Sequence, residues 1–247
     1  MIDVVLTPAD FARVEQVLPQ SQAVVLDVLR ATSTIAAALQ AGAREVRLFD
    51  SLDAARQGKK DQGNAAGPVL LAGERSCLKP DDFDLGNSPR EQLTEKVGGA
   101  TLLLATTNGT RAAVRARNAQ RLFAASLLNA AATAQALLPG LESSHTLLVC
   151  AGTNGNLAVE DVIGAGSILF ALLQATYRTD LAFTDTAWMA YHTFAAVRQR
   201  LPAALRLGQG GINVIEAGLE DDIDFCARLD AVPLVARIST DLRINRE

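Results

Sequence analysis

Short runs of aliphatic and β-branched residues recur along the chain, and most give way to segments whose apolar residues return at helical spacing. The pattern predicts strands over residues 4–6, 23–26, 45–49, 69–72, 101–105, 121–125 and 146–150. Helices are predicted over 8–18, through 35–42, over 51–58, from about 90, over 111–118 and 126–138, with a long apolar one behind Glu160 and Asp161. Trp188, Tyr191, His192 and Ala195 mark one face of a further amphipathic helix, where a lone histidine packs more often than it reacts. Gly208 to Gly211 predict a flexible loop, and Glu220 to Asp224 open a helix with Ile223 and Cys226 inward, a run of acids that reads as a solvated helix start from which Asp221 or Asp222 could reach a site. Residues 232–236 predict a late strand, placed at an edge because Pro233 has no N–H to give a ladder. This alternation predicts an α/β fold: layered α/β/α with a mixed, largely parallel sheet.

Two stretches interrupt the pattern. Residues 58–68 are glycine-rich and polar, which predicts an exposed loop. Residues 76–90 repeat nothing, and fit equally an ordered connection capped by Ser88 or a loop that lays Glu74 and Asn87 against a ligand. A faint repeat is also present: Thr34, Ala36, Ala37, Ala43 and Val46 recur 76 positions on as Thr110, Ala112, Ala113, Ala119 and Leu122. It suggests one strand–helix turn built twice within a single domain spanning 1–247, with similar subdomains at about 1–95 and 96–247 if the repeat reflects a duplication.

With 247 residues, 49% apolar and 20% charged, the chain has enough apolar surface for a sizeable core, which excludes disorder. Its 23 basic and 27 acidic residues are interspersed, and the net charge of -4 with no basic run argues against nucleic acid as a partner. Cys77, Cys150 and Cys226 lie far apart with no CxxC pair, which fits a reducing, cytoplasmic setting. The N-terminus lacks a basic stretch before an apolar core, and 162–173 is too short and glycine-broken to span a bilayer, so no membrane partner is expected. A homodimer is the one assembly carried forward as an expectation.

The chemistry gathers in the loops that follow strands. In AVVLDVLRATSTIAAAL, Asp27 leaves a strand end, Arg30 follows, and Thr32, Ser33 and Thr34 bring hydroxyls beside the first unpaired N–H groups of a helix. Such a turn suits an anion, although a cap that binds nothing fits the same letters. Thr106, Thr107, Asn108, Gly109 and Thr110 make a second turn of this kind, and residues 151–156, with Asn154, a third. Behind the third stand Glu160 and Asp161, which as helical neighbours lie roughly 100° apart around the axis, so at most one faces a shared site. Ligands of open α/β sheets bind beyond the carboxyl ends of strands, so pooled loops there offer hydroxyls and amides to phosphate and carboxylates to a hard cation such as Mg2+. Only His145 and His192 occur, which argues against a histidine zinc site. No GxxxxGK[ST] is present, and Leu29 stands where phosphatases that form an aspartyl phosphate carry a second aspartate. Magnesium-assisted phosphoryl transfer on a small anionic organophosphate is the economical synthesis. The competing expectation is a non-catalytic binder of small anionic metabolites using the same helix-start loops.

Five blocks, falling in order from about residue 23 to 233, resemble the 2-phosphosulfolactate phosphatases: VVLDVLRATSTIAAALQAGA, LAGERSCLKPDDFDLGNSPRE, LLLATTNGTRA with the later SLLNA, LLVCAGTNGNLAVEDVIGAG and AGLEDDIDFCARLDAVP. The resemblance implies a magnesium-dependent phosphoric monoester hydrolase that frees phosphate from 2-phospho-3-sulfolactate, a step of coenzyme M synthesis, or from phosphates of related 2-hydroxy acids. Joined to the loop chemistry, it implies Asp27, Glu74 and Asp161 as catalytic carboxylates. Magnesium would be held by Asp27, Glu74 and Asp161 or Glu160, directly or through water. Substrate would be held by Arg30, Thr32, Ser33, Thr34, Asn87, Thr106, Thr107, Asn108, Gly109 and Thr110, with Arg75 or Arg111 for its further anionic groups. Whether Asp27 attacks phosphorus or holds the metal is open at this level.

Overall fold

Apolar runs withdrawn from water on both faces become the central strands, as in Ser21–Leu26 and Thr101–Ala105, where every residue is buried. The computed structural model describes residues 1–62, 67–176 and 181–246, so positions 63–66 of the glycine-rich loop lie outside the described residues. In chain order the strands and α-helices are β1 Ile2–Val5, β2 Ser21–Leu26, α1 Ala31–Gln40, β3 Glu45–Phe49, α2 Leu52–Lys60, β4 Val69–Gly73, α3 Thr94–Val97, β5 Thr101–Ala105, α4 Gly109–Ala116 and β6 Arg121–Ala125. They continue as α5 Ala130–Leu137, β7 His145–Cys150, α6 Val159–Thr176, α7 Asp185–Val197, α8 Leu201–Leu205, α9 Gln209–Glu216, α10 Asp221–Cys226, β8 Ala236–Ile238 and β9 Arg243–Arg246.

The nine strands form one mixed sheet in the order β1-β7-β2-β6-β8-β9-β3-β5-β4. Pairings within β1-β7-β2-β6 and within β3-β5-β4 are parallel, while β8 and β9 join the two groups through antiparallel ladders. Three antiparallel steps separate β6 from β3, so the two parallel groups run in opposite senses. Strands from residues 1–95 and from 96–247 are interleaved in this sheet. In the repeated segments, β2-α1-β3 and β5-α4-β6, the first strand of each unit pairs with the last strand of the other. That exchange sets α1 and α4 side by side, packed with residues of both groups in one core that includes Val25, Ile35, Leu39, Leu102, Ala113 and Leu122. The twisted sheet wraps these two helices, so strand ends of opposite sense converge near their N-termini.

The other sheet face is covered in two places. α5, α6 and α7 pack on the first group through Val24, Phe123, Leu148, Ile168 and Leu172, and α2 packs on the second through Leu52, Ala55, Leu71 and Leu103. Among the described residues α6 is the one helix long and apolar enough to cross a membrane, and it is a core helix here. Its Gly164 and Gly166 serve close packing, since a Cβ on Gly164 would lie 2.7 Å from Val28 Cγ2 and one on Gly166 would collide with the Ala190 carbonyl.

Five local expectations are corrected. The stretch 8–18 forms two 3-10 turns, Ala9–Arg13 and Leu18–Gln20, whose turns bury Phe11, Val14 and Leu18 at the spacing that suggested a longer helix. Near Arg90 there is one 3-10 turn, Pro89–Glu91. Gly208 to Gly211 is the start of α9, its small residues required by close approach: a Cβ on Gly210 would collide with Glu160 Oε1 and one on Gly211 with the Leu205 carbonyl. The late strand begins three positions after Pro233 and lies inside the sheet, and Pro233 precedes the ladder rather than interrupting it. The face of α7 expected from Trp188, Tyr191, His192 and Ala195 is not the buried one: Ala187, Ala190 and Phe194 turn to the core, while Trp188 and His192 are exposed and stack on each other.

Candidate active site

Asp27 stands at the end of β2, where the N-termini of α1 and α4 meet. Its Oδ1 accepts the Ala31 N–H at 3.2 Å, and Gly109 at the start of α4 is packed against the carboxylate, since a Cβ there would lie 2.5 Å from Oδ2. Glu74, after β4, accepts the Thr107 N–H at 2.7 Å through Oε1 and the Cys77 N–H at 2.9 Å through Oε2. Asp161 accepts the Val28 N–H at 2.8 Å and the Gly152 N–H at 3.0 Å. The protein's own carboxylates therefore occupy several loop N–H groups that the sequence offered to phosphate, as expected of anions at helix starts.

The hydroxyls are likewise committed to the backbone. Thr32 Oγ1 donates to the Asp27 carbonyl at 2.9 Å and accepts the Asp27 N–H, Ser33 Oγ donates to the Val28 carbonyl at 2.8 Å, and Thr34 Oγ1 donates to the Asn87 carbonyl at 2.8 Å. Thr110 Oγ1 donates to the Thr106 carbonyl at 3.0 Å, and Thr106 Oγ1 accepts the Thr110 N–H at 3.3 Å. These groups shape the turns, in keeping with the local competition of Ser and Thr for backbone partners.

A cavity of about 590 Å³ opens above Asp27. Of the residues expected at a site, Asp27, Arg30, Glu74, Asn87, Thr106, Thr107 and Asn108 line it. Thr32, Ser33, Thr34, Gly109, Thr110, Glu160 and Asp161 do not, because they are buried behind the turns they organise. The lining also includes Asp50, Arg75, Cys77, Arg111, Asn154, Asn213 and Glu216. Asp50 follows β3 as Asp27 follows β2, a signal legible in the sequence, whereas Asn213 and Glu216 come from α9, where glycines masked the helix. Arg75 and Arg111 are exposed, and no described residue forms an ion pair with either. Arg30 is buried after a cis Leu29–Arg30 peptide bond, and of the two acids of the α10 start that could reach inward it is Asp222 that pairs with it.

Burial sets the electrostatics. Desolvation is the largest influence on Asp27, and with repulsion from Glu74 it outweighs the backbone N–H groups and Arg30, pushing the carboxyl up to about 6. Desolvation and Asp27 together push Glu160 up to about 7, and desolvation with the charges of Asp27 and Glu160 raises Asp161 well above the usual carboxylate range. Both members of the 160–161 pair are buried and point different ways: Asp161 turns to the β2–α1 loop and Glu160 lies under Gly208 and Gly210 of α9, and neither lines the cavity.

Among the described residues no group of three His, Cys, Asp or Glu side chains is disposed to hold a metal alone. Magnesium does not require one, since it is commonly held by one or two carboxylates with water and substrate phosphate supplying the rest. The donors present suit that mode. Asp27 and Glu74 present oxygen to the cavity, Asp161 has an amide on each oxygen, and Glu160 Oε2 is buried without a hydrogen-bond partner. Acids crowded in this way are mutually destabilising until a cation or protons arrive.

Comparison with known proteins adds an independent finding. The family model for 2-phosphosulpholactate phosphatase matches residues 9–241. A protein of Thermotoga maritima named probable 2-phosphosulfolactate phosphatase is 37% identical over 247 residues, covering 100% of this chain and 99% of the relative. Proteins with the same name are 34% identical in Caldanaerobacter subterraneus subsp. tengcongensis, over 91% of this chain and 90% of the relative, and 38% identical in Thermus thermophilus, over 85% and 86%.

Proposed function

Because the chain belongs to the 2-phosphosulpholactate phosphatase family and is a phosphoric monoester hydrolase, we propose that it hydrolyses 2-phospho-3-sulfolactate, or a related 2-hydroxy acid phosphate, with magnesium in the cavity above Asp27. One observation carries the assignment: a buried carboxylate at a strand end, Asp27, shares that cavity with Glu74, Arg30 and two unpaired exposed arginines. The substrate bears a phosphate, a carboxylate and a sulfonate. Arg30 meets the phosphoryl oxygens, and Arg75 and Arg111 meet the other anionic groups at the mouth.

Hydrolysis moves the phosphoryl group from the 2-oxygen of the acid to water. The bond from phosphorus to the ester oxygen breaks, a bond to the water oxygen forms, and one water proton ends on the released hydroxyl. Asp27 and Glu74 would hold magnesium directly or through water, and the ion would offset charge on the transferring group. Asp161 fixes the β2–α1 loop through Val28 and Gly152, and so the height of Asp27 in the cavity.

Phosphate release from 2-phosphosulfolactate, followed with magnesium and after chelation, tests this. Release is expected only with the metal, and Asp27→Asn should lower kcat by at least about a hundredfold in a folded protein. Metal-independent release removes the role given to magnesium, near-normal kcat in the variant removes Asp27 from the chemistry, and tight binding of the substrate without turnover would leave a binder.

A further inference from the structure

Arg30 lines the cavity although it is 3% exposed, so it cannot swing out to meet a ligand and back. Two neighbours grip its fork. Nη1 donates to Asp222 Oδ2 at 2.7 Å, and Nη2 donates to the Cys77 carbonyl at 2.7 Å. Asp222 is 1% exposed, and its Oδ1 accepts the Ser88 hydroxyl at 2.6 Å. A guanidinium has five N–H donors, and these two bonds leave three without a described partner.

The grip is assembled from distant parts of the chain. Asp222 comes from α10, Ser88 from the irregular stretch after β4, and Cys77 from a turn in which Arg75 and Leu78 exchange both backbone hydrogen bonds. Within that turn Ser76 and Cys77 hold φ of 52° and 67°, a left-handed conformation uncommon for residues with a side chain. A buried ion pair is weak evidence for stability, because desolvation offsets most of its attraction. The geometry achieves something else. It fixes the plane of one arginine beside Asp27, and Asp222 offsets the charge of Arg30, so the arginine acts as a rigid set of donors more than as a free cation.

We propose that Asp222 is a positioning residue for phosphoryl transfer, acting through Arg30 by locking its guanidinium in the plane that presents the remaining N–H groups to the phosphoryl oxygens. This rests on the proposed function, in which Arg30 meets the phosphate. Preorganised donors aimed at developing charge favour the transition state over the ground state, so their loss is read mainly in kcat.

A double-mutant cycle of Asp222→Asn with Arg30→Met tests it on the full chain with magnesium. Asp222→Asn is expected to lower kcat about tenfold to a hundredfold while KM stays within about threefold. In the Arg30→Met background the same change should cost less than about twofold, because the group it positions is gone. Ser88→Ala leaves both charges in place and should give a smaller loss that also vanishes with Arg30→Met; it decides the matter if Asp222→Asn does not fold. Losses that multiply in the double variant, or a normal kcat in Asp222→Asn, overturn the proposal. If the unaltered protein frees no phosphate from 2-phosphosulfolactate, the proposed function fails, and the cycle is read on affinity for inorganic phosphate instead. Weakening that depends on Arg30 then supports the role of Asp222, and equal weakening in both backgrounds overturns it.

Discussion

Asp27 sits between the starts of α1 and α4, and the space for that is made by Gly109. The glycine does not hold a positive φ, so it is there for room and not for conformational freedom. A Cβ would lie 2.5 Å from Asp27 Oδ2, 2.7 Å from Ala31 Cβ and 2.9 Å from Asp27 Cβ. Helix propensity alone would make Gly109→Ala stabilising by about 1 kcal/mol, while overpacking costs roughly 1–3 kcal/mol. Backbone and carboxylate have little freedom to yield here, so overpacking should prevail. Gly109→Ala is expected to lower the melting temperature and to reduce kcat at least about tenfold by displacing Asp27. A rise in melting temperature with normal turnover would show that the pocket relaxes and that the glycine is incidental.

Single residues are presented by elements, and the stretch 76–90 shows how much of that was legible beforehand. It fits either an ordered connection capped by Ser88 or a loop against a ligand; it is an ordered connection, but Ser88 gives its hydroxyl to Asp222 rather than capping the turn. Leu85 extends the edge of the sheet through its N–H to the Leu71 carbonyl and its carbonyl to the Gly73 N–H, Phe83 enters the core under α2, and Glu74 and Asn87 line the cavity on either side. Phe83→Ala should therefore loosen the stretch, lowering stability by about 3 kcal/mol as read by urea denaturation and raising KM in a protein still folded. The strands up to β7 and the polar turns behind β2 and β5 could be read because local burial and helix-start chemistry leave a mark on adjacent residues. β9 could not, and β8 only as a late strand placed a few residues early, because both are short and take their outer partners from 100 or more positions away, such as Phe123 for Arg237 and Arg47 for Arg243. For Asp222 the run of acids leaves two readings open, a solvated helix start or a reach into a site, and only the fold pairs it with Arg30; the threonines likewise choose backbone partners that only the folded turn supplies.

At the scale of the whole molecule, the exchange of strands between the two repeated units brings four acidic side chains, Asp27, Glu74, Glu160 and Asp161, toward one end of α1 and α4. Asp27, Glu160 and Asp161 hold protons more tightly folded than unfolded, chiefly through desolvation. Their contribution to stability is thus fully present below the ordinary carboxylate range and is lost as pH rises through about 6 for Asp27 and about 7 for Glu160. Acids with lowered values, such as Asp3, Asp82 and Asp84, act in the opposite sense only below pH 4 and do not disturb this window. With metal chelated, the melting temperature should fall between pH 5.5 and pH 7.5 by several degrees, and Asp27→Asn should flatten that slope. Magnesium competes with protons for the same oxygens, so it should raise the melting temperature at pH 7.5 and change it little at pH 5.5. An equal magnesium effect at both pH values would mean that the cation binds elsewhere, and a flat metal-free profile in the unaltered protein would mean that the buried acids are not under the mutual strain their burial predicts.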